Sequence, residues 1–243
     1  MNICEDREIM DSNIDSYNNI QTIEYYSDFD KYGLFSFEKR IIDKYFVGKT
    51  VLDIGCGTGR TTFPLHNMGF DVIGIDYSEG MIKKAVEKYP QVRFEICNCE
   101  DMRFEDGSFE NALFSFNGIM LERDYSMRAK MFSEIYRILV PGGVFFFTTP
   151  YMDNKVDRGY WKEKVQRNGL NLSVKEDRMR LGDEVTDEDG VQFFLHIPFC
   201  SEIEEMISMT GFTCISRGSR IEDFGEEKAE DELDDNYYWV VRK

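Results

Sequence analysis

The sequence predicts an α/β domain built on a doubly wound, mainly parallel sheet, and three observations carry that expectation. Short apolar runs alternate with amphipathic stretches along the chain, as strands alternate with the helices that cover them. One run, Val144-Phe145-Phe146-Phe147, is apolar at consecutive positions and suits a strand buried on both faces. No internal repeat or low-complexity linker divides the 243 residues, a length that fits one domain with a sizeable core.

The first five strands are expected at Thr50–Ile54, Asp71–Ile75, Val92–Ile96, Asn111–Phe116 and Gly143–Thr149, with two more at Thr213–Arg217 and Tyr237–Arg242. Ser78 is placed to cap a helix whose Met81, Ile82, Ala85, Val86 and Tyr89 share one face. Met127, Met131, Ile135 and Ile138 recur at helical spacing as core positions, and Pro141-Gly142-Gly143 supplies turn chemistry to end that helix. Ser201-Glu202-Ile203-Glu204 reads as a capping box opening a helix that stops at Gly211.

Between the fifth strand and that helix lies a long insertion, about Tyr151 to Pro198. A helix is expected around Lys155–Arg167, then a hairpin with arms near Met179–Val185 and Val191–Ile197. Connections longer than about 15 residues in a compact domain are usually functional lids. The segment through Phe46 is partly helical and is placed to close over the same end of the sheet. The single domain thus divides into an N-terminal helical cap (1–46), a ligand-binding core (47–150), a lid insertion (151–198) and a C-terminal helix with the last two strands (199–243).

Bulk properties narrow the function classes. The chain carries 29 Lys plus Arg against 46 Asp plus Glu, a net charge of −17, which repels a phosphate backbone and argues against a nucleic-acid substrate. A neutral or cationic partner fits more easily, although excess acid also serves solubility alone. Much of that excess sits in Glu222 to Asp235, a segment too polar for core and expected as a solvated loop. No run of about 18 apolar residues appears, so no membrane span is expected. The Met1–Arg7 stretch lacks the layout of a secretory signal, which points to a cytoplasmic protein. Cys4, Cys56, Cys97, Cys99, Cys200 and Cys214 form neither a CxxC pair nor a zinc pattern, so free thiols and no metal are expected. Oligomeric state is left open.

The informative segment is Val51-Leu52-Asp53-Ile54-Gly55-Cys56-Gly57-Thr58-Gly59-Arg60, where an apolar strand ends in an acid and runs into alternating glycines. Glycines let the backbone take positive φ or approach a ligand closely, and ligands of open α/β sheets bind at the carboxyl ends of the strands. A dinucleotide site would carry G-x-G-x-x-G. Here the third glycine comes one residue early and Arg60 takes its place, which argues against a dinucleotide-dependent oxidoreductase. Asp76 ends the second strand about twenty residues past the glycines, where an acid reaches ribose hydroxyls.

VLDIGCGTGR, GIDYSEGMI and LVPGGVFFFTTP, in that order over about residues 49 to 150, resemble the class I S-adenosylmethionine-dependent methyltransferases, of an uncharacterised bacterial small-molecule type. The resemblance implies a Rossmann-like seven-stranded sheet with its last strand antiparallel, and S-adenosylmethionine as cofactor. It implies that Gly55, Gly57 and Gly59 cradle the methionine part, that Asp53 holds its amino group directly or through water, and that Asp76 holds the ribose. Tyr77 and Met81 would flank the adenine. Asn98 and Cys99 stand where the family often has Gly-Asp-Ala, so Asn98 would offer an uncharged amide oxygen to the adenine. Ser115 would lie near the transferable methyl.

Methyl transfer needs donor and acceptor held in line and water kept out, and no side chain is obligatory for it. Asn117 and Tyr151 are candidates to position the acceptor. His196 is either a proton acceptor or a hydrogen-bonded structural histidine at a strand end; His66 reads as structural, and Asp153, Tyr160 and Trp161 as pocket or packing residues of the lid. The expected activity is N- or O-directed methyl transfer to a small molecule or short peptide; the alternative is a protein that binds S-adenosylmethionine for regulation without turnover.

Overall fold

The computed structural model describes residues 13–153, 158–188, 190–225 and 236–243. Seven strands form one sheet: β1 (Thr50–Ile54), β2 (Asp71–Asp76), β3 (Arg93–Ile96), β4 (Phe109–Phe114), β5 (Leu139–Thr149), β8 (Thr213–Ser219) and β9 (Tyr237–Arg242). Their order is β3-β2-β1-β4-β5-β9-β8. β1 to β5 pair in parallel, and β9 runs antiparallel to both β5 and β8. This is the Rossmann-like seven-stranded sheet with an antiparallel last strand. The chain winds outward from β1 to β3 and returns to β4 on the other side of β1. A crevice therefore opens at the carboxyl ends of β1 and β4.

β5 shows why both faces are apolar in the sequence. Phe145 and Phe147 pack into one core with Phe132, Ile135 and Ile203, while Val144 and Phe146 pack into the other with Phe37, Ile41 and Leu65. All four β5 side chains are fully buried, as the alternation of a strand covered on both sides requires.

The helices that flank the sheet are Ile20–Phe29, Ser36–Tyr45, Glu79–Lys88, Tyr125–Ile138 and Cys200–Thr210, with a shorter one at Thr62–Asn67; residues 13–18 are helical as well. Ser78 caps Glu79–Lys88 as expected, its Oγ accepting from Met81 N–H at 3.1 Å.

Several boundaries differ from expectation. Pro141-Gly142-Gly143 lies inside β5: the Tyr125–Ile138 helix stops before it, and the β4–β5 register shifts between Phe109 and Asn111. Gly142, at φ +84°, absorbs the irregularity. Ser201 is within the Cys200–Thr210 helix, whose first turn is held instead by Glu202, accepting from Phe199 N–H at 3.2 Å.

In the insertion, a helix occupies Gly159–Asn168, and residues 155–157 of the expected one lie outside the described residues. Lys175–Gly182 is a second helix, so the hairpin arms are β6 (Asp183–Glu188) and β7 (Val191–His196). Met152, Trp161 and Leu181 form a small separate core there. Of the expected loop Glu222–Asp235, residues 222–224 belong to the helix Arg220–Phe224 and 226–235 lie outside the described residues, as do Met1–Arg7 and Cys4. Among the described residues no helix is long and apolar enough to cross a membrane.

Candidate functional site

A cavity of about 340 Å³ sits at the carboxyl ends of β1, β2 and β4. The glycine loop that follows β1 forms its floor. Gly55 and Gly57 adopt φ of +62° and +54°, which side chains rarely tolerate. A Cβ on Gly55 would strike the Phe114 ring at 2.5 Å, whereas one on Gly57 would enter open space on the cavity side. The two glycines therefore serve different ends: Gly55 permits close packing beneath the loop, and Gly57 brings backbone up to a ligand.

Asp76 stands beside this loop. Its Oδ2 accepts from Gly57 N–H at 2.9 Å and its Oδ1 from Ser78 N–H at 2.8 Å. Burial pushes its carboxyl above the ordinary carboxylate range, while those two amides pull it back. Each oxygen keeps an acceptor position, enough for two vicinal hydroxyls. Tyr77, Met81, Asn98, Cys99 and Ser115 line the same cavity, so seven residues assigned from sequence converge with Asp76 on one site. Asn98 turns its amide oxygen back onto Glu100 N–H at 2.9 Å. Ser115 Oγ accepts from Arg60 at 2.9 Å and donates to Glu38, holding the loop from beneath.

Asp53 and Gly59 are set back from the cavity. Asp53 is 1% exposed, and its Oδ2 accepts from the hydroxyls of Thr61 and Thr62 at 2.7 and 2.6 Å. It ties the exit of the loop to β1. Burial pushes its carboxyl up to about 6 from an ordinary value of 3.8, against those hydroxyls. Protonated Asp53 therefore favours the fold: the contribution is complete below about pH 4 and is lost as pH rises through about 6. Asp53→Asn, which does not titrate, is expected to gain on the wild type by about 2–3 kcal/mol over that interval in urea unfolding. A difference independent of pH would contradict this role.

The three residues offered to the acceptor stand elsewhere. His196 is fully buried on β7, its Nδ1 2.8 Å from Asp183 Oδ1 and its Nε2 3.1 Å from Glu202 Oε2. It joins the hairpin to the Cys200–Thr210 helix. His196→Leu is expected to destabilise the fold by about 2–3 kcal/mol, because the buried Glu202 loses its partner, with cofactor affinity unchanged in calorimetry. Asn117 follows Phe116, and both have positive φ, 58° and 64°. Its N–H donates to Thr148 Oγ1 at 3.1 Å and its Nδ2 to Asn236 Oδ1 at 3.0 Å, which ties the β4 exit to β5 and β9. Tyr151 packs against Tyr237, with ring centroids 5.3 Å apart.

Sequence reasoning expected a cap here but did not single out the residues of it that line the cavity. Tyr17, Tyr26 and Phe29 reach it from the N-terminal helices. Asn13 holds that segment to β7, its Nδ2 donating to Phe194 O at 3.2 Å and its Oδ1 accepting from Phe194 N–H at 2.8 Å. Asp30 bridges Thr58 of the glycine loop (2.9 Å) and Lys88 (2.7 Å). The density of aromatic residues between Tyr17 and Phe37 was the available signal.

Comparison with known proteins agrees with this geometry. The Methyltransferase domain family matches residues 51–143. Demethylmenaquinone methyltransferase of Renibacterium salmoninarum is 33% identical over 96 residues, covering 40% of this chain and 39% of the relative. Phosphoethanolamine N-methyltransferase 3 of Arabidopsis thaliana is 32% identical over 165 residues, covering 62% and 32%. The chain thus spans well under half the length of these curated relatives. Among solved structures, an S-adenosylmethionine-dependent methyltransferase from Methanosarcina mazei superposes with a TM-score of 0.70 at 18% identity, over 87% of this chain and 98% of that one. The Burkholderia thailandensis 1,6-didemethyltoxoflavin-N1-methyltransferase, solved with S-adenosylhomocysteine, gives 0.59 at 15% identity, over 84% and 75%.

Residues 51–143 match the methyltransferase domain family, and the chain has the class I S-adenosylmethionine-dependent methyltransferase fold. Two of the solved structures that share this fold, from Methanosarcina mazei and Clostridium acetobutylicum, are themselves S-adenosylmethionine-dependent methyltransferases.

Proposed function

We propose that this chain is a cytoplasmic enzyme that binds S-adenosylmethionine in the cavity and transfers its methyl group to nitrogen or oxygen of a small molecule or short peptide, neutral or cationic. The observation that carries the reading is the Asp76 carboxylate, anchored on Gly57 N–H and facing the cavity beside a glycine with open space where a Cβ would stand. Gly55 and Gly57 hold the methionine part, Asp76 the ribose, and Tyr77, Met81, Asn98 and Cys99 the adenine. Asp53 and Gly59 act on the loop from behind, and Ser115 marks the reacting end. Of the described residues, 13–46 act as a cap and those within 151–198 as a lid over the cofactor-binding core 47–150, to which the C-terminal helix and the last two strands are joined. His196, Asn117 and Tyr151 position the elements around the site.

When bound, the cofactor supplies an electrophilic methyl on a sulfonium sulfur. The protein's part is alignment and exclusion of water. Asp76 and the loop amides fix the cofactor's orientation, and the aromatic cover of Tyr17, Tyr26 and Phe29 keeps the cavity dry. The test is incubation with methyl-labelled cofactor and a small-metabolite extract. Label is expected in a low-mass product with release of S-adenosylhomocysteine. Cofactor binding without any label transfer would contradict the reading.

A further inference from the structure

The cavity is lined by further residues beyond those assigned to the cofactor, and these have their own chemistry. Tyr17, Tyr26, Phe29, Phe116 and Phe194 line it, from the N-terminal helices, the loop after β4 and β7. Glu122, in the loop after β4, lines the same cavity and is half-buried. Its Oε1 accepts from Asp124 N–H at 2.8 Å, and among the described residues no cation forms an ion pair with it.

Apart from Glu100, and Asp76 assigned above to the ribose, the other charges around the cavity are committed. Asp30 is held by Lys88 and Thr58. Arg60 is paired with Glu38 at 2.8 Å. Arg123 stacks over the Phe194 ring, 5.4 Å from its centroid. Arg128 acts on Glu122 from a distance, while its Nη1 donates to the carbonyls of Glu122 and Arg123 at 2.6 and 3.0 Å.

We infer that the acceptor is an amine-bearing small molecule with an apolar body, and that Glu122 receives its ammonium group and takes a proton from it; this rests on the methyl-transfer reading above. Aromatic walls attract a cation and pack an apolar body. An anionic acceptor would meet Glu122 and Glu100 with like charge. Burial, aided by the field of Glu100 and opposed by Asp124 N–H and Arg128, raises the Glu122 carboxyl above its ordinary range. A carboxylate with a raised proton affinity is better matched to the ammonium it must deprotonate.

The step balances. The ammonium passes one proton to Glu122 and becomes a neutral amine with a free electron pair. That nitrogen bonds to the methyl carbon as the carbon–sulfur bond breaks, and sulfur keeps the bonding pair as a neutral thioether. The methylated nitrogen keeps the positive charge, and Glu122 passes its proton to water, so one proton is released per transfer.

The experiment uses the whole chain, methyl-labelled S-adenosylmethionine and one metabolite extract in two halves, the second treated with aqueous acetic anhydride to block amines and leave alcohols free. Label transfer is expected in the untreated half and not in the blocked half. E122Q, which keeps an oxygen for Asp124 N–H, is expected to retain cofactor affinity in calorimetry yet lose about 100-fold or more in kcat/KM near neutrality. Its activity is expected to recover as pH rises toward the amine's own range, where deprotonated acceptor is present without a base. Label persisting in the blocked half, or E122Q turning over like wild type with the same pH profile, would overturn the inference. Cofactor binding with no label in either half would instead overturn methyl transfer itself.

Discussion

Asp76→Ala is expected to weaken S-adenosylmethionine binding by about 3 kcal/mol or more, on the order of 150-fold, in calorimetric titration. Two losses combine in that figure. On the proposed placement the carboxylate would offer a charged acceptor to each of two ribose hydroxyls, and hydrogen bonds to charged groups contribute about 1.5–3 kcal/mol apiece. The same carboxylate holds Gly57 N–H at 2.9 Å and Ser78 N–H at 2.8 Å, so its removal also frees the glycine loop. Asp76→Asn separates the two, because its one amide oxygen can keep a backbone partner but not a charge. Its affinity is expected between wild type and alanine. Affinity unchanged in Asp76→Ala would remove Asp76 from the site.

The second large effect is on stability. Arg60 is 9% exposed and Glu38 fully buried. The guanidinium donates to both carboxylate oxygens, at 2.9 and 2.8 Å, and also to Gly33 O at 2.7 Å and Ser115 Oγ at 2.9 Å. Glu38 in turn accepts from Phe35 N–H at 2.8 Å. This one pair therefore joins the Ser36–Tyr45 helix, the glycine loop and the β4 exit. Glu38→Ala leaves the guanidinium buried without its counter-charge and is expected to cost about 3–5 kcal/mol in urea unfolding. The double replacement Glu38→Leu with Arg60→Met removes both charges, and is expected to recover most of that loss. A loss under about 1 kcal/mol in Glu38→Ala would contradict a fully desolvated pair.

The parts of this protein that are legible in the sequence are those fixed by local pattern. β1, β2 and β5 follow from apolar runs ending in turn residues, and Gly57 and Asp76 from their spacing across one strand–loop–helix–strand unit. Contacts between distant segments are not encoded that way. Glu38 and Arg60 lie 22 residues apart, and Asn13 meets Phe194 across 181; neither leaves a periodic trace.

The helix Lys175–Gly182 buries Leu181 and Gly182 but presents no apolar stripe, so its residues read as the start of a strand. Ser201-x-x-Glu204 and Glu202 offer overlapping capping patterns two residues apart, and the arrangement that lets Glu202 also meet His196 is the one adopted. His196 drew attention as a titratable side chain in an apolar run. Its two carboxylate partners become visible only once β6 is paired with β7 and the following helix is docked.

The Asp53 assignment shows the same limit from the other side. An acid before the glycines is visible in the sequence, but the direction of its side chain depends on Thr61 and Thr62, which the next turn of chain brings under β1.

Titrating wild-type protein separately with S-adenosylmethionine and with NAD is the most direct test of the cavity's identity. Saturable one-site binding of S-adenosylmethionine, abolished or strongly weakened by Asp76→Ala and absent for NAD, is the expected result. Binding of NAD in preference to S-adenosylmethionine, or S-adenosylmethionine binding indifferent to Asp76, would contradict it.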